Sequence, residues 1–181
     1  MRKFKRIVAI LAAAALSVTV MAGCSSNGGT SGGSDTQAVK MINIPLTNEE
    51  YAFGVDKDQP ELLEEVNAFI ADIKSDGTLE EILNKYFEGG TPEAVVSAEL
   101  DTSKDQLVVA TNAAFEPFEY TLSTGNEYYG VDMELAKLLA ERLNKELVIQ
   151  NMNFDAVCLS VGQHQCDIAM AGLTVSPARE E

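Results

Sequence analysis

Apolar positions along this chain fall into blocks of two different periods. Between Leu62 and Ile73 they recur three and four residues apart, at Leu62, Leu63, Val66, Phe69, Ile70 and Ile73, while Glu61, Glu64, Glu65, Asp72 and Lys74 lie mostly outside the stripe. That spacing predicts a helix with one buried face, and Pro60 suits its first turn. Asp76-Gly77 breaks it. Thr78 is placed to cap a second helix, with Glu81 three residues on as its capping-box partner, and Leu79, Ile82, Leu83, Tyr86 and Phe87 supply the buried side. Gly89-Gly90-Thr91-Pro92 ends that helix, and residues 88–106 read as a loose acidic connection. Short apolar runs follow the other period. VKMINI (39–44), YAFGV (51–55), LVVAT (107–111), ELVIQ (146–150) and DIAMA (167–171) read as strands, and LVVAT has the unbroken apolar character of a strand buried on both faces.

Two helices separate the last three strands. One opens at Asp132 and carries Leu135, Leu138, Leu139 and Leu143 on one side; the other runs from Phe154 to about Gly162. Strand, helix, strand, helix, strand predicts parallel βαβ units, hence an α/β fold with a doubly wound sheet. Ligands of such sheets sit beyond the carboxyl ends of the strands. Asn112–Tyr120 and Gly172–Arg179 leave those ends and are the segments in which to look for chemistry.

The N-terminal segment reads differently. Arg2, Lys3, Lys5 and Arg6 precede an apolar run from Ile7 to Val20, which is shorter than the roughly 20 apolar residues a spanning helix needs. Met21, Ala22 and Gly23 then lead into Cys24, and the segment resembles the lipobox of bacterial lipoproteins. That resemblance implies a signal peptide over 1–23, acylation of Cys24, export, and attachment to the extracytoplasmic side of the cell membrane through lipid alone. Residues 24–38 add a Gly- and Ser-rich stretch suited to a flexible tether.

Composition narrows the function. Apolar residues make up 46% and charged residues 23%, which suits a folded body. Thirteen basic against 28 acidic residues give a net charge of -15. Nucleic acid is excluded as a partner, since its binders need a basic footprint. Catalytic groups are few. His164 is the single histidine and reads as a solvated helix-end residue, and no serine stands in a nucleophile elbow. Cys158 and Cys166 have poor metal-ligand spacing and read as small buried apolar residues or as a disulfide. Glu116 and Glu119 flank Pro117 and read as solvated loop carboxylates. The expectation is no enzyme, no cofactor and no metal.

Three blocks carry a resemblance. LVVATNAAFEPFEY, YYGVDMELAKLLAERLNKELVIQNMNFDAV and DIAMAGLTVSPARE follow one another over residues 107–181. Together they resemble the opening lobe of the polar-amino-acid-binding proteins of ABC importers, in which two lobes close over a free amino acid. The resemblance implies a free amino acid and an importer permease as partners. It places Phe115 and Phe154 as rings on either side of the ligand. Gly172 and Thr174 fall where a main-chain group and a hydroxyl hold its carboxylate and amino groups. Arg179 falls where a guanidinium grips the α-carboxylate, and Asn112 where a polar residue reads the side chain. The chemistry suits such a ligand. Arg holds a planar carboxylate bidentately, and aromatic faces desolvate the ligand and attract its ammonium.

Tyr51–Phe87 also resembles the family, but it is similar to the closing strand and helix pair of such a receptor. The order is therefore inverted, as in a circular permutation. Five segments are expected: 1–23 signal, 24–38 acylated Cys and tether, 39–88 the receptor's closing segment, 89–106 a linker, and 107–181 its first lobe. This arrangement implies a single lobe of the periplasmic-binding-protein fold, cut at the hinge and lacking the second lobe. The expected function is weak capture of a polar amino acid as the substrate-binding component of an ABC importer. The alternatives are an enzyme on the same scaffold, such as a small-acid dehydratase, and a sensory or interaction module.

Overall fold

The structure is a computed structural model that describes residue 44 and residues 49–180. The expected signal segment, Cys24, the tether and all of the strand expected over 39–44 except Ile44 lie outside the described residues; Ile44 is an exposed bend. The elements are β1 (Tyr51–Val55), α1 (Pro60–Ser75), α2 (Thr78–Phe87), β2 (Val95–Val96), β3 (Gln106–Thr111), β4 (Ala114–Phe115), β5 (Glu119–Tyr120), β6 (Glu127–Tyr128), α3 (Val131–Arg142), β7 (Glu146–Asn151), α4 (Phe154–Gly162), β8 (Ile168–Thr174) and α5 (Pro177–Glu180). Among the described residues no helix is long and apolar enough to cross a membrane.

The main sheet has the order β1-β8-β3-β7. Strand β3 runs parallel to both β7 and β8, while β1 lies antiparallel on the outer edge of β8. The expected parallel βαβ units are therefore present, and the Tyr51–Val55 strand completes their sheet. Side chains alternate across it. Leu107, Val109, Ile168 and Met170 face a large core shared with α1, α2 and α3. Ala110, Ala169, Ala171 and Leu173 face Val157 and Val161 of α4 on the other side. Small side chains on that second face let α4 lie close, and Gly54 of β1 continues the trend, since a Cβ there would sit 3.3 Å from that of Ala169.

Side chains from 51–88 and from 107–170 pack into one core. Val66, Phe69, Ile73 and Ile82 pack with Leu107, Met133, Leu139 and Met170. A polar tie joins α2 to α3: Lys85 Nζ lies 2.6 Å from Glu134 Oε2, and the Tyr86 hydroxyl donates to Glu134 Oε1 at 2.8 Å. The same hydroxyl accepts the Gly130 N–H at 3.0 Å just ahead of α3.

Two local expectations are corrected. Thr78 is the first residue of α2 rather than its cap; the cap is Gly77 at φ 90, with no side-chain capping bond. Asp76 Oδ1 instead accepts the Thr78 N–H at 2.9 Å, which fixes the turn from outside the helix. Nor is the stretch after α2 loose. Within it β2 pairs with β6, and beyond β2 the chain runs along the edge of β7. There the Ala98 N–H donates to Leu147 O at 2.9 Å and Ser97 Oγ accepts the Ile149 N–H at 2.8 Å. An edge that would otherwise expose unpaired backbone is covered in this way.

Candidate functional site

The site is built where β3, β7 and β8 reach their carboxyl ends. Two asparagines tie those ends together: Asn112 Nδ2 donates to Met152 O at 2.7 Å, and Asn151 Oδ1 accepts the Ala113 N–H at 3.0 Å. Beyond them lies a pocket of about 310 Å³ lined by Asn112, Ala114, Phe115, Glu119, Phe154, Ala171 and Gly172. Four of the six residues expected to bind a ligand, Asn112, Phe115, Phe154 and Gly172, thus surround one space. Thr174 and Arg179 line a neighbouring depression of about 320 Å³ with Leu173 and Val175. Arg179 reaches toward the first space: its guanidinium carbon sits 5.5 Å from the centroid of the Phe154 ring that lines it.

Both rings are presented rather than buried, Phe115 being 45% and Phe154 41% exposed. Phe115 is held from behind by Phe118, stacked at 5.4 Å and 13°, and Phe118 in turn packs on Tyr51 at 4.8 Å. Arg179 Nη1 donates to the Thr174 carbonyl at 2.8 Å. A guanidinium has five donors, so that bond orients the group and leaves others for an anion.

Gly172 has a structural reason to be glycine. Its φ is +53, and a Cβ there would lie 2.8 Å from a Phe115 ring carbon. Its N–H is already engaged, donating to Asp132 Oδ2 at 2.8 Å.

The reading of Glu119 as a solvated loop carboxylate is corrected by its burial. Glu119 is 1% exposed, and its Oε2 is buried without a hydrogen-bond partner. Strand β5 turns it inward, and Oε1 lies 3.6 Å from where a Gly172 Cβ would stand. Burial, then the nearby Asp132 carboxylate, push its pKa up to about 9. Asp132 is raised by burial to about 6, and the Gly172 N–H works the other way. Glu116, by contrast, is exposed as expected. The sequence signal for the pair was weak. Asp132 reads only as the residue at which a helix opens, and nothing in the run EPFEY says which glutamate points inward.

The remaining candidates lie elsewhere. Cys158 is exposed and Cys166 buried, both as free thiols, so the buried reading holds for Cys166 alone. His164 follows α4 and is exposed; its ring lies with the Asp56 and Asp58 carboxylates in a group whose ligand atoms are within 4.8 Å of one another. That group is at the surface, and the pocket contains none of its members.

The arrangement suits a small zwitterion. It offers two ring faces for desolvation, a guanidinium for an anion and a carboxyl for a cation, around a pocket whose floor is cross-tied. The Probable ABC transporter arginine-binding protein ArtJ of Chlamydia trachomatis is 34% identical over 79 residues, covering 44% of this chain and 30% of that protein. The Arginine-binding extracellular protein ArtP of Bacillus subtilis is 33% identical over 81 residues, covering 45% of this chain and 31% of that protein. Cyclohexadienyl dehydratase of Pseudomonas aeruginosa is 32% identical over 74 residues, covering 41% of this chain and 27% of the enzyme. The chain thus spans under a third of the length of these relatives. Residues 4–89 and 107–181 match the bacterial extracellular solute-binding proteins, family 3. The chain belongs to that family.

Proposed function

We propose that this chain captures a polar amino acid outside the cytoplasm for delivery to an ABC importer permease, with arginine the first candidate because ArtJ and ArtP are named for it. One observation carries the reading: Asn112, Phe115, Phe154 and Gly172, from four places in the chain, surround one pocket at the carboxyl ends of the strands. In this reading Arg179 takes the α-carboxylate, Phe115 and Phe154 sandwich the ligand, and Thr174 and Asn112 add polar contacts. Acylated Cys24 holds the protein to the membrane. Residues 39–88 serve as the receptor's closing segment placed ahead of its opening lobe, a permuted order supported by the antiparallel seat of β1 on β8.

The described residues cover a ligand from one side, since both rings stay nearly half exposed. Ligand sites ordinarily draw affinity from burying most of a ligand's surface, so the chain alone binds in the millimolar range. The test is an amide-resolved NMR titration of the chain with each of the twenty amino acids, repeated on Arg179→Ala. Shifts at the Gly172, Phe115 and Phe154 amides, lost in the variant, support the reading. No shift from any amino acid in a folded chain rejects it, and sub-micromolar affinity from a monomer rejects the one-sided pocket.

A second reading has one observation in its favour. Glu119 is a buried carboxyl of raised pKa facing the pocket, as a general acid must be, and a dehydratase stands among the relatives. Turnover of a small cyclic hydroxy acid, lost in Glu119→Gln, separates this reading from simple capture.

A further inference from the structure

Of the two carboxyl groups beneath the pocket, Asp132 is engaged by the Gly172 N–H. Glu119 is not: its Oε2 has no partner and its side chain lines the pocket beside Gly172 and both rings. A buried polar atom without a partner costs free energy that a bound donor can recover. Resting on the reading of the pocket as an amino-acid site, we propose that Glu119 is the group that receives a ligand's side-chain cation, and that it gives up a proton to do so.

The exchange balances. The neutral carboxyl loses H⁺ to solvent and the carboxylate pairs with the incoming ammonium or guanidinium, so the net charge of the buried site is unchanged. Its neighbours set the direction. Asp132 faces Glu119 from α3 and opposes a second negative charge. Tyr51 of β1, its own hydroxyl held above its usual range first by its bond to Glu49 and in part by these two carboxylates, stays neutral. On the β8 side the pocket is lined by Ala171 and Gly172. The Arg179 guanidinium stands over the Phe154 ring, outside the residues that line the pocket. With its carboxyl held up to about 9, Glu119 is protonated at neutral pH before a ligand arrives. A cation is the one ligand group that both satisfies the unpartnered acceptor and offsets the repulsion from Asp132. A neutral side chain of the same shape gains only the hydrogen bond.

Arginine and citrulline, which match in shape and differ in charge, are the probes. Their dissociation constants are measured by NMR on the full chain from pH 6 to pH 8, where neither changes its own ionisation. Arginine is expected to bind at least tenfold more tightly than citrulline at pH 8, with the gap shrinking toward pH 6 as proton release becomes costlier. The Glu119 carboxyl carbon is expected to report deprotonation when arginine is added at pH 7, and Glu119→Gln to abolish the arginine preference at every pH. Equal affinities in the unaltered chain at pH 8, or a gap independent of pH, overturn the proposal while the amino-acid pocket stands, since both probes then bind through their common backbone groups. Binding of neither probe overturns the pocket itself and this proposal with it. Both outcomes can be read from the unaltered chain, whether or not the variant folds.

Discussion

Asp132, in the first turn of α3, accepts the Gly172 N–H on Oδ2 at 2.8 Å, across 40 residues of sequence. The bond pins the start of a helix to the left-handed residue of β8, and so fixes the backbone that borders the pocket. Removing the acceptor leaves a buried donor unpaired, at a cost of about 1–3 kcal/mol. Asp132→Ala is therefore expected to lower the urea midpoint clearly. Asp132→Asn keeps an acceptor oxygen and should lose much less. An Ala variant as stable as the unaltered chain would show that the tie contributes nothing.

Gly172→Ala tests the other end. A non-glycine residue at φ +53 costs about 1–2 kcal/mol, and the new methyl meets the Phe115 ring. The ring must leave its stack on Phe118, taking one wall of the pocket with it. Two effects are expected together: lower stability, and altered ring-current shifts at Phe118. In a Phe115→Ala background the methyl has room, so the same glycine change should cost less. Equal costs in both backgrounds would contradict the clash.

Much of this fold was legible because hydrophobic period and strand order are local signals. The stripe from Leu62 to Ile73, the runs at 107–111 and 146–150, and the glycine break at 77 all appear as elements close to where the sequence puts them. What escaped depends on contacts distant in sequence. Thr78 looked like a cap because Asp76 reaching forward to its N–H is a turn geometry that the pattern TLEE does not encode. Residues 89–106 looked loose because they are polar, yet Ser97 is buried against a strand fifty residues on. Pocket legibility divides the same way. Strand ends point to the segments that hold Asn112, Phe115 and Gly172, and the family resemblance singles out those residues and Phe154, while the inward turn of Glu119 depends on the pairing of β4 with β5.

Ser97 offers a test of how far the connection belongs to the fold. Its Oγ accepts the Ile149 N–H at 2.8 Å on the edge of β7. Ser97→Ala strands that donor and is expected to cost about 1–3 kcal/mol. Val96→Ala, one residue earlier and exposed, should stay within about 0.5 kcal/mol. Denaturation of the two variants side by side decides the matter: similar small losses would mean that the connection merely passes over β7.

The raised carboxyl groups make a prediction about pH. Folded Glu119 sits at about 9 against an ordinary 4.5, and Asp132 at about 6 against 3.8. Between those limits the folded chain holds protons that the unfolded chain has released, so stability falls as pH rises. The contribution is full below the unfolded values. Asp132 loses its share as pH climbs toward 6, and Glu119 continues to lose its own toward 9, the two titrating as a coupled pair. The urea midpoint is therefore expected to decline from pH 5 to pH 9. Self-repulsion from a net charge of -15 pulls the same way at the alkaline end, so the variant carries the test. Glu119→Gln stays neutral at every pH and removes the Glu119 share, which should flatten the decline between pH 6 and pH 9 while leaving only the Asp132 share of the slope near pH 5. If the two midpoints instead fall in parallel across that window, Glu119 is already ionised in the folded chain, and it has no proton to exchange for a ligand.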